Sequence, residues 1–386
     1  MPDYNARLSR LREAMAANNV AVLFLPVSST LEYFTGISWP IPNPTEHDRP
    51  GDWISGMYLG LRDGPIIVEP RMGSAAMVAA VAEKPWISDI HVLSELDDYS
   101  NVLAGFVRSL GGADGGRIAL AEHAWAKTVI DVMKAVPGAE IINAHDLIWP
   151  MRMIKDEEEQ ALMRRAARLV DEAYEPILDR LELGMSANDI ARVVDDTLFE
   201  FGADWTSFHT GIYLGGEAVP GAASVFEAHD RVLERGGSIA FDFGALLDGY
   251  CSDFGRPVFI GEPTDERRKV YELVMSAQAA AIERMVDGEI TAAGLDDVAR
   301  SIIADAGYGD QFIHRLGHSI GKDVHEPPFL LEADQTVLRT GMCFTIEPSV
   351  VLDDGGFIRV EDVVMVTPDG GVNFNSTGHE LRVLDL

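Results

Sequence analysis

The sequence predicts two domains: an α/β unit over residues 1–150 and an α+β unit over residues 151–386. Three observations support this. At 386 residues the chain exceeds one ordinary domain and gives each of two enough material to bury a core. Short apolar runs alternate with helical stretches up to Ala144, whereas strand-like runs dominate after Gly202. Between them, from Lys155, stands a long amphipathic segment fronted by acids.

Taken in order, Leu8, Leu11 and Met15 recur at helical spacing within 5–18, and VAVLFLPV at 20–27 is an apolar run of strand length. GMYLGLRDGPIIVEP (56–70) reads as a hairpin turning at Arg62-Asp63-Gly64. Further short strands are expected at 90–95, 117–122 and 139–144, with helical segments between them. The segment 155–181 has acids in its first turn and apolar residues at a 3.6 period, and Ser186 is placed to N-cap the helix after it. Beyond Gly202 come four strand-rich stretches, expected to be long and curved, interrupted by helices from about 265 to 306.

Composition narrows the function classes. A content of 47% hydrophobic and 24% charged residues is that of a soluble globular protein. The net charge of −31 argues against nucleic acid or an anionic membrane as partner, both being polyanions. A handful of metal-binding carboxylates cannot account for that excess, but a heavily solvated acidic surface can. Cys251 and Cys343 are the only cysteines, which excludes a disulfide framework and a thiolate zinc site. The N-terminus lacks the apolar core of a secretory signal, and no apolar stretch reaches bilayer length. The cytoplasm is therefore the expected compartment.

Four patterns in the second half make little sense as ordinary strands. In FDFGALLDGYCSDFGR (241–256), Asp242 interrupts an apolar run, and Asp253 follows across a turn expected at Gly249-Tyr250. HRLGHSIGKDVHEPP (314–328) carries His314, His318 and His325, with Gly317 and Gly321 permitting sharp bends. In TIEPSV (345–350) Glu347 again breaks an apolar strand, and in GFIRVEDVVMV (356–366) Glu361 lies two residues after Arg359. Any one of these has a bland reading, since a lone strand acid more often meets an arginine and a lone histidine is more often structural. Together they need one explanation, because a buried unpaired carboxylate costs several kcal/mol. A pair of divalent cations supplies it: hard cations take carboxylate oxygen, and borderline ones accept one imidazole.

These residues also resemble the metal signature of the superfamily of creatinase, aminopeptidase P, prolidase and methionine aminopeptidase, whose catalytic domain has the pita-bread fold. The likeness spans nearly the whole chain, from LEYFTGI (31–37) in a creatinase-like N-terminal domain to the helix opening at 155 and the turn at 182–191. Asp242 matches the Asp-x-Gly ligand, Asp253 the second aspartate, His318 the histidine of Gly-His-x-x-Gly, Glu347 the Glu of Ile-Glu-Pro, and Glu361 the bridging glutamate. His314 and His325 match the flanking histidines that contact substrate, and Arg359 an arginine near the last ligand. Creatinase itself lacks the complete metal set, so the resemblance is to the metal-using branch.

The resemblance implies a dinuclear-metal hydrolase of the Xaa-Pro dipeptidase or aminopeptidase type. Its two cations, expected to be manganese with cobalt, zinc or iron as alternatives, acidify a water between them. Glu347 is the expected base and His325 the donor to the developing oxyanion. His314 would line the pocket and fix substrate, while Arg359 would hold a carboxylate or orient Glu361. One departure stands out: where proline-directed members carry a histidine after a proline, Gly221 follows Pro220, and His209 and His229 are off register. That departure and the acidity favour an alternative of the same fold, acting on a small amide or amidino osmolyte or a sulfonium compound. A silent binding scaffold is disfavoured by the complete ligand set. The proline-rich segment 38–56 reads as a semi-rigid loop capping a pocket or as plain surface, and in the resembling family such loops imply a homodimer.

Overall fold

The computed structural model describes residues 2–38, 50–72, 74–216, 231–353 and 355–386. Pro220, Gly221 and His229 lie outside the described residues, as does most of the proline-rich segment. The chain divides into two compact units, Met1–Met151 and Arg152–Leu386.

The first unit is built on a six-stranded sheet, in spatial order Asp89–Leu93, Ile66–Pro70, Gly56–Gly60, Val20–Pro26, Arg117–Leu120 and Glu140–Asn143. The expected hairpin at 56–70 pairs antiparallel, whereas Val20–Pro26 runs parallel to Arg117–Leu120. The central strand shows no polar alternation because both of its faces are covered. Leu23 and Leu25 pack on one side with Leu8 and Leu11 of the helix Tyr4–Ala17. Val22 and Phe24 pack on the other with Leu103 and Val107 of the helix Tyr99–Ser109. A strand buried on both faces reads as a continuous apolar run, which is what 20–27 is. At the described end of the proline-rich segment, Trp53 lies under Lys127 and edge-on to Tyr99.

The second unit opens with the helix Glu157–Leu178, whose first turn is closed by a capping box between Asp156 and Glu159. Ser186 caps Ala187–Glu200 as expected, with Asp189 completing the same device. Two sheets follow. One has the order Arg382–Leu384, Pro257–Ile260, Ser238–Asp242, Gly211–Gly215; the other Glu326–Leu330, Gly317–Ser319, Cys343–Ile346, Asp362–Thr367, Gly370–Asn373. Helices Asp265–Glu283 and Ala292–Asp305 contribute to the apolar core that also contains Phe344, Ile346 and Val364.

The expectation of long continuous strands needs correction. Asp242 ends its strand, Asp253 falls in a gap between Tyr250–Cys251 and Pro257–Ile260, and Glu347 and Glu361 each fall between two short strands. His318 sits at a register shift. A side chain in a regular ladder points straight out of the sheet, whereas a break re-aims it. Each carboxylate-bearing position is thus a place where the ladder yields to the site.

Candidate metal centre

The approach of Asp242 to Asp253 is a consequence of local backbone chemistry. Leu247 pairs with Tyr250 across a two-residue turn in which Asp248 and Gly249 have φ of 51° and 75°. Both positive values suit an Asp-Gly hairpin turn. The two arms then exchange backbone hydrogen bonds between Phe243 and Phe254, at 3.0 and 2.9 Å. A side chain at Gly244 would collide with the carbonyl of Ser252, so only glycine permits this approach. Glu361 joins from a third segment, its N–H donating to the Gly255 carbonyl at 2.9 Å.

His318 and Glu347 are tied together by one hydroxyl. Thr345 Oγ1 accepts the His318 N–H at 3.1 Å and donates to Glu347 Oε1 at 3.2 Å. Gly317 lies so close to the Thr345 carbonyl that a β-carbon there would clash. His318 Nδ1 faces the Ser319 carbonyl at 3.1 Å and must carry the proton, because a carbonyl only accepts. Nε2 is left as a lone pair, 3.6 Å from Asp253 Oδ2 and 3.5 Å from Glu347 Oε1. This is the tautomer a metal-binding imidazole needs.

All eight residues singled out in the sequence line one cavity of about 210 Å³: Asp242, Asp253, His314, His318, His325, Glu347, Arg359 and Glu361. One donor atom from each of Asp253, His318 and Glu361 lies within 4.8 Å of the others, close enough to share a cation. Asp253 Oδ1 is buried without a hydrogen-bond partner. A buried carboxylate oxygen left bare calls for a ligand from outside the protein, and a hard cation fits that need.

The electrostatics agree. Burial, then the charges of Asp242 and Glu347, pushes the Asp253 carboxyl well above its ordinary range. Burial and Asp253 do the same to Glu361, and burial carries Glu347 up to about 7. Burial and neighbouring His325 keep His318 neutral by lowering its pKa. Three carboxyls that resist ionisation together, beside an imidazole that resists protonation, form a donor set lacking positive charge.

Arg359 supplies part of that charge. Burial opposes its ionisation, but Asp242, Glu361 and Glu347 outweigh burial and hold it charged. It pairs with Asp242, and reaches Glu347 at 3.2 Å and Glu361 at 3.4 Å. All three of these partners are carboxylates of the cavity. His314 donates from Nδ1 to the Arg315 carbonyl and accepts from Ser349 at Nε2, both at 2.6 Å. Its ring is fixed and, with a pKa lowered to about 4 mainly by burial, neutral. The His325 ring packs tilted against that of His318, with centroids 4.2 Å apart and planes at 60°. Among the described residues nothing hydrogen-bonds its ring.

Sequence reasoning missed Phe208, Arg315 and Val324, which complete the lining. It also missed the buried supports. Asp362 faces away from the site and binds Arg256 at 2.6 Å, while Arg256 donates to the Glu361 carbonyl at 2.8 Å. Glu326 accepts from Arg152 and, at 3.0 Å, from Lys155. The signal was there in adjacency, since Asp362 and Glu326 each directly follow a site residue in otherwise apolar strands.

Comparison with known proteins turns this geometry into a family. Residues 161–368 match the model of Metallopeptidase family M24, and residues 7–154 that of the Creatinase/Prolidase N-terminal domain. The chain belongs to metallopeptidase family M24. It is 38% identical to an Xaa-Pro dipeptidase of Lactobacillus delbrueckii subsp. lactis and 31% identical to one of Lactobacillus helveticus. Both alignments cover 98% of this chain and 99% of the relative. Among solved structures, the prolidase of Thermococcus sibiricus superposes with a TM-score of 0.87 at 27% identity over the full length of both chains. A dipeptidase of Pyrococcus horikoshii gives 0.85 at 28% identity over 98% of this chain and all of that one. As an M24 member, the protein is a metal-dependent peptidase with a creatinase-type N-terminal domain and a pita-bread catalytic domain.

Proposed function

We propose that the protein is an Xaa-Pro dipeptidase whose two divalent cations are held by Asp242, Asp253, His318, Glu347 and Glu361. The observation that carries this reading is the convergence of these five side chains on one cavity, with a bare buried oxygen on Asp253. Cations bound there supply Lewis acidity, acidifying a water and polarising the scissile carbonyl. Glu347 takes the proton of the attacking water at Oε1, the oxygen held by Thr345. Arg359 keeps Asp242, Glu347 and Glu361 splayed in place by binding all three. His325, with its ring unclaimed, donates to the carbonyl oxygen as charge develops there. His314 shapes the wall, since both its nitrogens are engaged within the protein. Likeness to Xaa-Pro dipeptidases over nearly the whole chain supports the substrate class.

The finer assignments belong to the same proposal: manganese as the working metal, a homodimer, and the cytoplasm, where two free buried cysteines persist as thiols. The glycine at 221, where the peptidase pattern has histidine, favours a second reading, hydrolysis or elimination on a small non-peptide compound. Elemental analysis of protein purified without chelator is expected to give two metals per chain. Manganese-loaded protein is expected to cleave Xaa-Pro dipeptides, and Glu347→Gln to lower kcat by roughly 10²–10⁴-fold. Full metal loading with no turnover of any Xaa-Pro dipeptide would transfer the assignment to the second reading.

A further inference from the structure

The helix Asp265–Glu283 carries a polar residue beside its apolar face. Val270, Val274, Ala277 and Ala281 are buried there, and Gln278 among them is 1% exposed. An amide buried in such company is costly unless it is hydrogen-bonded. Its partners are the two strand ends from which acidic side chains of the site depart. Gln278 Nε2 donates to the Ile346 carbonyl at 3.0 Å, and it reaches the Val360 carbonyl at 3.4 Å and Asp362 Oδ2 at 3.0 Å. Ile346 and Val360 directly precede Glu347 and Glu361, and Ile346 faces Asp362 in the last pair before the ladder breaks. Where a ladder stops, the flanking carbonyls must find other donors. A neutral amide supplies them without adding charge behind the carboxylates.

The third acceptor joins this brace to a wider network. Asp362 Oδ2 also accepts from His379 Nε2 at 2.8 Å, and its Oδ1 accepts from Arg256 at 2.6 Å. Arg256 Nη1 in turn donates to the carbonyls of Gly255 and Glu361, at 2.9 and 2.8 Å. Gly255 lies two residues after Asp253. The network therefore touches the backbone beside Asp253, Glu347 and Glu361, while Gln278, Asp362, Arg256 and His379 are all absent from the cavity lining. It acts on the site through the backbone.

We propose that Gln278 is a positioning residue of the metal centre. It fixes the spacing between Glu347 and Glu361, and thereby the affinity with which they hold cations, while His379 steadies the Asp362 end of the brace. This inference rests on the metal reading above and adds to it a residue that touches neither cation nor substrate. Glu347 and Glu361 leave the sheet at a break, where strand pairing no longer sets their separation. Donors whose spacing wanders must be ordered as the cation binds, and a braced pair avoids that cost.

The test is cation binding by full-length protein, stripped of metal and titrated with manganese against a chelating indicator. Gln278→Met keeps the length of the side chain and loses the amide, and it is expected to weaken manganese binding roughly 10- to 100-fold. The visible absorption of cobalt-loaded protein should shift as well, because the donors around the ion are rearranged. A merely structural role predicts a lower melting temperature with manganese affinity and the cobalt spectrum unchanged, and that result overturns the assignment. Should Gln278→Met not fold, His379→Ala decides. Its ring is half-buried at the edge of the network, and its loss is expected to weaken manganese binding roughly 2- to 10-fold, the worth of one hydrogen bond. Unchanged manganese affinity in that variant removes the proposal. A wild type that binds neither manganese nor cobalt refutes the metal reading itself, whereas a wild type that binds them no better than the variants refutes only the brace.

Discussion

Glu326 offers a sharp test of how the catalytic unit is held together. Its side chain is 1% exposed, as are those of Arg152 and Lys155, which it binds together. Its Oε1 also accepts the N–H groups of Lys322 and Asp323, at 3.0 and 3.2 Å, closing the loop that presents His325. Glu326→Gln keeps the shape and the carbonyl but leaves two buried cations facing an amide. Breaking a buried pair in this way costs about 3–5 kcal/mol. An independent route gives a similar size. Burial by itself raises the Glu326 carboxyl, but Arg152 and Lys155 outweigh burial and hold it at about 2 against an ordinary 4.5. A depression of that size corresponds to about 3 kcal/mol. At about 2–4 °C per kcal/mol, the melting temperature should fall by roughly 6–20 °C near neutral pH. Because the folded pKa is depressed, this contribution is complete above pH 4.5 and is lost as pH falls toward 2. Calorimetric melts of wild type and variant across that window should therefore converge as pH falls. A gap that stays constant down to pH 2.5, or one below about 2 °C at pH 7, would refute the reasoning.

Two further outcomes follow from the site. Thr345→Val strands the His318 N–H and frees Glu347 Oε1, so metal affinity measured by competition with a chelating indicator should fall roughly 10- to 100-fold. Chelation should destabilise the protein more at pH 8 than at pH 6. Asp253, Glu347 and Glu361 have raised folded pKa values, so without cations their ionisation opposes folding, and that penalty is relieved as pH falls. A difference in melting temperature between loaded and stripped protein that shrinks with rising pH would contradict the charge ledger of the site.

Much of the candidate site was legible in the sequence because metal chemistry violates strand grammar. Asp242, Glu347 and Glu361 each interrupt an apolar run, and a histidine cluster flanked by glycines has no ordinary structural use. Arg315 was not legible, since an arginine between two histidines reads as surface until its place in the lining of the cavity is seen in three dimensions. Asp362 and Glu326 were illegible for the opposite reason. Their partners Arg256 and Arg152 lie 106 and 174 residues away. No local pattern encodes such a pairing.

The sequence by itself determined the helix start at Ser186, the amphipathic helix after Lys155, and the presence of a turn between Asp242 and Asp253, which it placed at Gly249-Tyr250, one residue beyond the observed Asp248-Gly249. These depend on neighbours within a few residues, where capping, turn geometry and periodicity act. Only the tertiary structure decided that the strands break at the proposed ligands and that Arg359 is bound by three carboxylates. Those facts are set by distances between remote segments, and the balance of charge in a buried cavity exists only once the segments have met.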